Sequence, residues 1–229
     1  MEITWLGHGS FRINMADQVL LIDPWLTGNP MLPEEQHDAA TQGATHILIT
    51  HGHFDHSSDV VALSKSLSAP AVGMYDLMTY FEETEGLSVI GFNMGGTVQL
   101  GDVAVSIVPA LHSNTLSSAP TSPAGREAGF ILRAEGHTVY LSGDTGIMAD
   151  MEWIGDYYKP DIGILSAGGH FTMDMAGAAY AAKKYFDFNT LIPCHYRTFE
   201  FLEQSAQVLI DGLPSVRVIE PEVMRSITL

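Results

Sequence analysis

The chain has 229 residues and carries 27 acids against 10 lysines and arginines, a formal charge of −17 at neutral pH. That field repels phosphate backbones, so general nucleic-acid binding is not expected, while an apolar fraction of 46% is enough for a real core. One cysteine, Cys194, rules out a disulfide within the chain, and no apolar run approaches the ~20 residues that span a bilayer.

In chain order, short apolar runs at 2–6, 11–14 and 18–22 read as strands, the last closed by Asp23-Pro24. Residues 46–50 form another, followed by a helix over 59–67 with Ser57 or Ser58 as its cap. A strand at 71–74, a helix at 75–83 and a strand at 89–92 come next. The pairs 97–100 with 103–109, and 129–134 with 138–142, flank Gly-containing hairpin turns. A helix at 149–158, a strand at 161–166, an alanine-rich helix at 173–186, a strand at 190–194, a helix at 199–209 and a strand at 216–219 complete the chain. Hairpins followed by strands alternating with helices, a theme met twice, predict an α/β (α+β) fold: two β layers covered by helices in a single domain over 1–229. The stretches 30–41 and 112–126 are long, irregular and rich in loop formers. The start, Met1 to Trp5, lacks the basic and apolar regions of a signal peptide, and the expected location is cytoplasmic.

Chemistry gathers where strands end. The run closing at Thr50 delivers His51, His53, Asp55 and His56; the run closing at Pro109 delivers His112; Ser142 leads to Asp144; Pro193 leads to Cys194 and His195. Sheets bring such ends to one edge. In extended chain, His51 and His53 point the same way and can share one ion, while Asp55 and His56 can face a second as the chain turns. All these donors are N or O, which suits zinc first, with manganese, iron or nickel as alternatives. Isolated histidines such as His37, His46 and His137 read as surface or core residues.

His51-Gly52-His53-Phe54-Asp55-His56 resembles the HxHxDH signature of the metallo-β-lactamase superfamily, and His112, Asp144 and His195 match its later ligands in order. The segments Trp5-Leu6-Gly7-His8-Gly9-Ser10, Phe171-Thr172-Met173 and Pro193-Cys194-His195-Tyr196-Arg197-Thr198-Phe199 resemble the metal-dependent hydrolases related to ascorbate-6-phosphate lactonase. The resemblance implies a four-layer αβ/βα sandwich and two divalent metal ions. It implies that His51, His53 and His112 hold one ion, that Asp55, His56 and His195 hold the other, and that Asp144 bridges them. One departure from that pattern is Asp174, where glycine is expected. It unsettles the local loop.

Around this constellation, Asp55 is a candidate proton acceptor as well as a ligand. His8 and His170 are candidate catalytic side chains at strand ends; a turn-bonded His8 and a capping His170 are equally good readings. Asp23 suits an orienting partner for a ligand histidine. Arg197 is either an anion binder or, better, the partner of an acid. Tyr196 either serves an oxyanion or packs, and Cys194 reads as a small buried residue. The expected function is metal-dependent hydrolysis of a small ester, lactone or phosphodiester. A nucleic-acid phosphodiesterase and a non-catalytic metal-binding protein are the alternatives. The expected partner is a small-molecule substrate, with no nucleic acid or membrane, and homo-oligomerisation is left open.

Overall fold

The computed structural model describes residues 1–122 and 124–229. Its first half holds β1 (Glu2–Gly7), β2 (Ser10–Met15), β3 (Gln18–Ile22), α1 (His37–Thr41), β4 (His46–Ile49), α2 (Phe54–Ser57), α3 (Val60–Leu67), β5 (Ala71–Met74), α4 (Tyr75–Glu85) and β6 (Val89–Phe92). The second half holds β7 (Thr97–Leu100), β8 (Val103–Pro109), β9 (Ala128–Ala134), β10 (His137–Leu141), α5 (Met151–Tyr158), β11 (Ile162–Ser166), α6 (Met175–Tyr185), β12 (Thr190–Cys194), α7 (Gln207–Gly212), β13 (Arg217–Val218) and β14 (Ser226–Thr228).

The strands form two seven-stranded sheets, ordered β14-β1-β2-β3-β4-β5-β6 and β13-β12-β11-β10-β9-β8-β7. Each is antiparallel on one side and parallel on the other: β3 to β6 run parallel, as do β10 to β13. Strands such as β4, β11 and β12 are apolar and buried almost throughout, because both of their faces are covered. One continuous apolar core joins the sheets, with Trp5, Phe11, Phe130 and Tyr140 among its largest members. The arrangement is the four-layer αβ/βα sandwich, with the helices packed outside the sheets. Both expected hairpins form; the second turns on Glu135 and Gly136, each with positive φ (52° and 80°).

Several expectations need correction. The helix expected over 199–209 starts only at Gln207. Residues 199–206 instead form a turn pinned by backbone bonds from Arg197 N to Glu203 O and from Glu203 N to Gly168 O. Residues 34–41, expected to be irregular, are helical. Neither Ser57 nor Ser58 caps α3. Ser57 lies in α2 and its hydroxyl donates back to Gly52 O and His53 O. Position 174 departs from the expected glycine without cost: the Asp174 carboxylate accepts from Gly177 N at 2.6 Å and caps α6. In the 112–126 stretch, Pro123 lies outside the described residues. No helix of the described chain is long and apolar enough to cross a membrane.

Candidate metal centre

Six strand ends meet along one edge of the sandwich. β1 leads to His8, β3 to Asp23, β4 to His51–His56, β8 to His112, β10 to Asp144 and β12 to His195. His8, Asp23 and His195 adopt left-handed backbone conformations (φ 53°, 44° and 59°), which His and Asp tolerate better than bulkier residues. These kinks turn the chain sharply at the sheet edge. Backbone bonds then tie the two sheets across the site: His195 N donates to His8 O at 2.9 Å and Ala128 N to Thr50 O at 3.0 Å. Gly143 sits at φ 60° where a Cβ would strike the Ala128 carbonyl, so the chain can press against β9 and present Asp144.

The structure brings the predicted ligands into two adjoining groups, linked by a third of His51, His56 and Asp144 whose ligand atoms also lie within 4.8 Å of one another. In the first, ligand atoms of His51, His53 and His112 lie within 4.8 Å of one another. In the second, His8, Asp55, His56 and His195 do the same. Asp144 stands between them: its Oδ2 is 3.7 Å from His112 Nε2, 3.4 Å from His56 Nε2 and 2.9 Å from His195 Nε2. Although the last distance is short, the His195 Nε2 is out of line for a hydrogen bond, and the buried Nε2 atoms of His56 and His195 have no hydrogen-bond partner. The His51 and His53 rings bond each other, Nε2 to Nδ1 at 2.9 Å, while the Nε2 atoms of His56 and His195 converge on Asp144 unbonded, and orphaned buried ring nitrogens facing a carboxylate fit a cation. The donor set, imidazole plus carboxylate, is the right chemistry for it.

Asp23 organises the ligands from behind. Buried at the end of β3, its Oδ1 accepts from Thr50 N (2.7 Å), and its Oδ2 accepts from Thr50 Oγ1 (2.6 Å) and His56 Nδ1 (2.8 Å). Because the Thr50 hydroxyl donates to Asp23, it accepts from His51 Nδ1 at 3.0 Å. One carboxylate therefore holds the Nδ1 atoms of two histidines and leaves both Nε2 atoms on the cluster side, that of His51 at 2.9 Å from His53 Nδ1. Gly9 lets the chain lie against the His56 ring, whose Cε1 would sit 2.8 Å from an added Cβ. The 112–126 segment is anchored by Asn114, which accepts from Gly52 N and donates to Ala124 O, both at 2.8 Å.

The charge states sort by neighbour. Burial holds His51 well below its usual pKa and lowers His53 and His112, so the first group is neutral imidazole. Burial opposes charge on His56 and His195 too, but the facing Asp144 outweighs it: His56 rises well above its ordinary value and His195 to about 9. Asp55 and Asp144 are pushed far below the carboxylate range by the same histidines, despite burial. A metal ion would displace the protons held on the second group.

His8 is fully buried. Its Nε2 lies 2.9 Å from Asp55 Oδ2 and its Nδ1 2.8 Å from Thr198 Oγ1. Burial lowers its pKa to about 4, so it is neutral at pH 7. It stands behind Asp55 and not at the cleft surface. His170 is not brought to the cluster; it is exposed and packs against Phe171 and Phe201 at 4.6 and 5.0 Å between ring centroids. Arg197 is exposed, with its guanidinium over the Tyr196 ring, and Tyr196 is buried in a stack on Trp5. Cys194 is buried, and burial pushes its thiol well above its usual pKa. Among the lone histidines, His137 pairs with Asp161 at 2.7 Å, far from the cluster in sequence and bonding.

Over the cluster opens a cleft of about 490 Å³, lined by His53, Asp55, His112, Asp144 and His195 at its polar base. Its walls include Phe54, Phe171, Phe199 and Phe201. These aromatic walls, the Thr50 and Thr198 hydroxyls and the Asn114 anchor were missed in the sequence. Thr50 and Thr198 directly flank recognised ligand motifs, a signal that would have found them; nothing in sequence spacing brings Phe54 and Phe201 to one cleft.

A family model described as a beta-lactamase superfamily domain matches residues 18–196. A UPF0173 metal-dependent hydrolase of Roseobacter denitrificans is 76% identical over 227 residues, 99% of each chain. One from Ruegeria sp. is 67% identical over the whole of both chains. Among solved structures, the metallo hydrolase Igni18 of Ignicoccus hospitalis superposes with a TM-score of 0.85 at 29% identity, covering 100% of this chain and 98% of that one. With its ligand-rich strand ends and these relatives, the chain belongs to the UPF0173 metal-dependent hydrolases of the beta-lactamase superfamily.

Proposed function

We propose that the protein hydrolyses a small ester, lactone or phosphodiester with two divalent ions, zinc in the first instance, held by the two ligand groups and shared through Asp144. One observation carries this reading: the buried rings of His51, His56 and His195 converge on the buried Asp144 carboxylate, half-buried His53, His112 and Asp55 complete the cluster at the base of a cleft, and the His56 and His195 Nε2 atoms are left without hydrogen bonds. Bound ions of this kind bring a water to a pKa of roughly 7 and polarise the oxygen under attack.

The chain's own residues prepare that site. His51, His53 and His112 stay neutral through burial and so keep their lone pairs. Asp23 and Thr50 fix two of the rings. Neutral His8, its Nδ1 accepting from the Thr198 hydroxyl, donates through Nε2 to Asp55 and sets the orientation of that carboxylate. Asp55 remains ionised at the cleft surface, where it is positioned to accept a proton from the attacking water. His170 stands at the rim, among the aromatic walls. We place the protein in the cytoplasm, acting on a small molecule.

The test combines metal analysis with a substrate panel. Zinc-reconstituted protein is expected to hydrolyse p-nitrophenyl esters, lactones or bis-p-nitrophenyl phosphate, and to lose that activity on chelation. Bound metal with no hydrolysis of any of the three would favour a metal-binding protein without catalysis.

A further inference from the structure

We infer that the substrate is uncharged away from its scissile bond and carries a flat apolar group, seated on an aromatic arc beside the His195 side of the metal centre. This narrows the proposed hydrolysis and rests on that reading of the cluster.

The arc is continuous. Phe54 packs against Trp25 with ring centroids 5.5 Å apart, Trp25 against Phe199 at 6.2 Å, Phe199 against Phe201 at 5.4 Å and nearly parallel (13°), and Phe201 edge-on to Phe171 at 5.8 Å. Its inner side meets the ligand group: Phe199 lies 5.8 Å from the His8 ring and Phe171 6.4 Å from the His195 ring. Trp25 is buried beneath, whereas Phe54, Phe171 and Phe201 are more than half exposed (51%, 51% and 57%). Three half-exposed phenylalanines around one opening are costly in a chain this acidic, and grouped apolar exposure marks a ligand surface. Offset and edge-on rings provide faces and edges for another flat group.

The charges point the same way. None of the described residues lining the cleft is lysine or arginine, and its charged members beside the histidines are Asp55 and Asp144. Arg197, the cation nearest the ligands in sequence, is exposed and turned to Tyr196. Metal ions compensate charge at the reacting atoms only. A phosphate or carboxylate seated among the aromatic walls, away from the ions, would meet no basic clamp and a chain of charge −17. An uncharged ester or lactone bearing an aryl or comparably flat apolar group meets neither penalty.

The experiment measures binding as well as turnover. The zinc-loaded chain is titrated calorimetrically with acetohydroxamic acid, phenylacetohydroxamic acid and the anionic succinic monohydroxamic acid, which share the metal-seeking head. We expect the phenyl compound to bind at least about tenfold more tightly than the methyl one, and the anionic one no more tightly than the methyl. The double variant Phe171→Ala, Phe201→Ala should bring the phenyl-to-methyl ratio close to one, while Tyr157→Ala, an exposed aromatic outside the cleft, should leave it as it is. Equal affinities for phenyl and methyl, or preference for the anion, would overturn the inference. If no hydroxamate binds, the metal reading has failed, and the aromatic site is judged separately on metal-stripped protein with uncharged N-phenyl-1-naphthylamine. Fluorescence enhancement lost in the double variant sustains the apolar site; no enhancement overturns it. A wild-type dimer that excludes the probe and becomes monomeric in the double variant would assign these rings to an interface and likewise overturn the inference.

Discussion

Replacing Asp23 by Asn tests how the ligand histidines are held. Asparagine keeps the shape and tolerates the left-handed conformation found at this position (φ 44°). It cannot keep the bonding. Asp23 accepts from three donors, Thr50 N, Thr50 Oγ1 and His56 Nδ1, all within 2.8 Å. Either orientation of the amide sets its NH₂ against a donor. With its oxygen toward Thr50 N, the amide nitrogen faces His56 Nδ1, and the proton of that ring is driven to Nε2, the atom that faces Asp144. A hydrogen bond to a charged partner contributes about 1.5–3 kcal/mol, so affinity at the second metal site should fall between about tenfold and a hundredfold, the range found for partners of metal-bound histidines. Competition titration with a chromophoric chelator resolves the two binding steps, and circular dichroism checks the fold. The expected result is a large loss at the His56 step and a smaller one at the His51 step, which Asp23 reaches only through the Thr50 hydroxyl, with secondary structure intact. Two wild-type affinities would refute the assignment of Asp23 as the residue that places the His56 proton.

Other outcomes follow from the same geometry. His112→Ala should weaken the first metal step and Asp55→Ala the second, each depressing hydrolysis strongly; full activity of either variant at saturating metal would reassign the ligands. Asp144→Asn should reduce metal content toward one ion per chain and turnover by more than about tenfold, over ~1.4 kcal/mol of transition-state stabilisation, whereas two ions and unchanged turnover would leave Asp144 as a turn residue only. Metal-stripped protein should be most stable near pH 6.5, followed by thermal unfolding at pH 5, 6.5 and 9. Above that pH, the stability conferred by the raised His56 and His195 is lost, for His195 as pH climbs through about 9; below it, the depressed His8, His51, His53 and His112 stay neutral while their unfolded counterparts take up protons, which also costs stability. A melting temperature that rises from pH 6.5 to 9 would contradict this.

The ligand motif was readable because strand periodicity and metal chemistry coincide: β4, β8, β10 and β12 are short apolar runs, and each ends in a titratable side chain. Asp23 was readable for the same reason. The supporting contacts were not. His8 meets Thr198 across 190 residues of sequence, a contact that only the meeting of the two sheets creates. The 199–209 segment looked helical from composition, yet tertiary bonds to Gly168 and Arg197 hold residues 199–206 in a turn that places Phe199 and Phe201 on the cleft wall. β14 is only three residues long and carries little pattern of its own; it forms because β1 offers an edge, with Thr4 Oγ1 bonded to Ser226 Oγ at 2.9 Å.

The central claim, a pair of ions shared through Asp144, is tested most directly by anomalous diffraction at the zinc edge from crystals of the zinc-reconstituted chain. The account predicts two peaks, one about 2.0–2.1 Å from nitrogens of His51, His53 and His112 and the other at similar distances from His56 and His195, with Asp144 reaching both. A single peak, or none at these side chains, would contradict it.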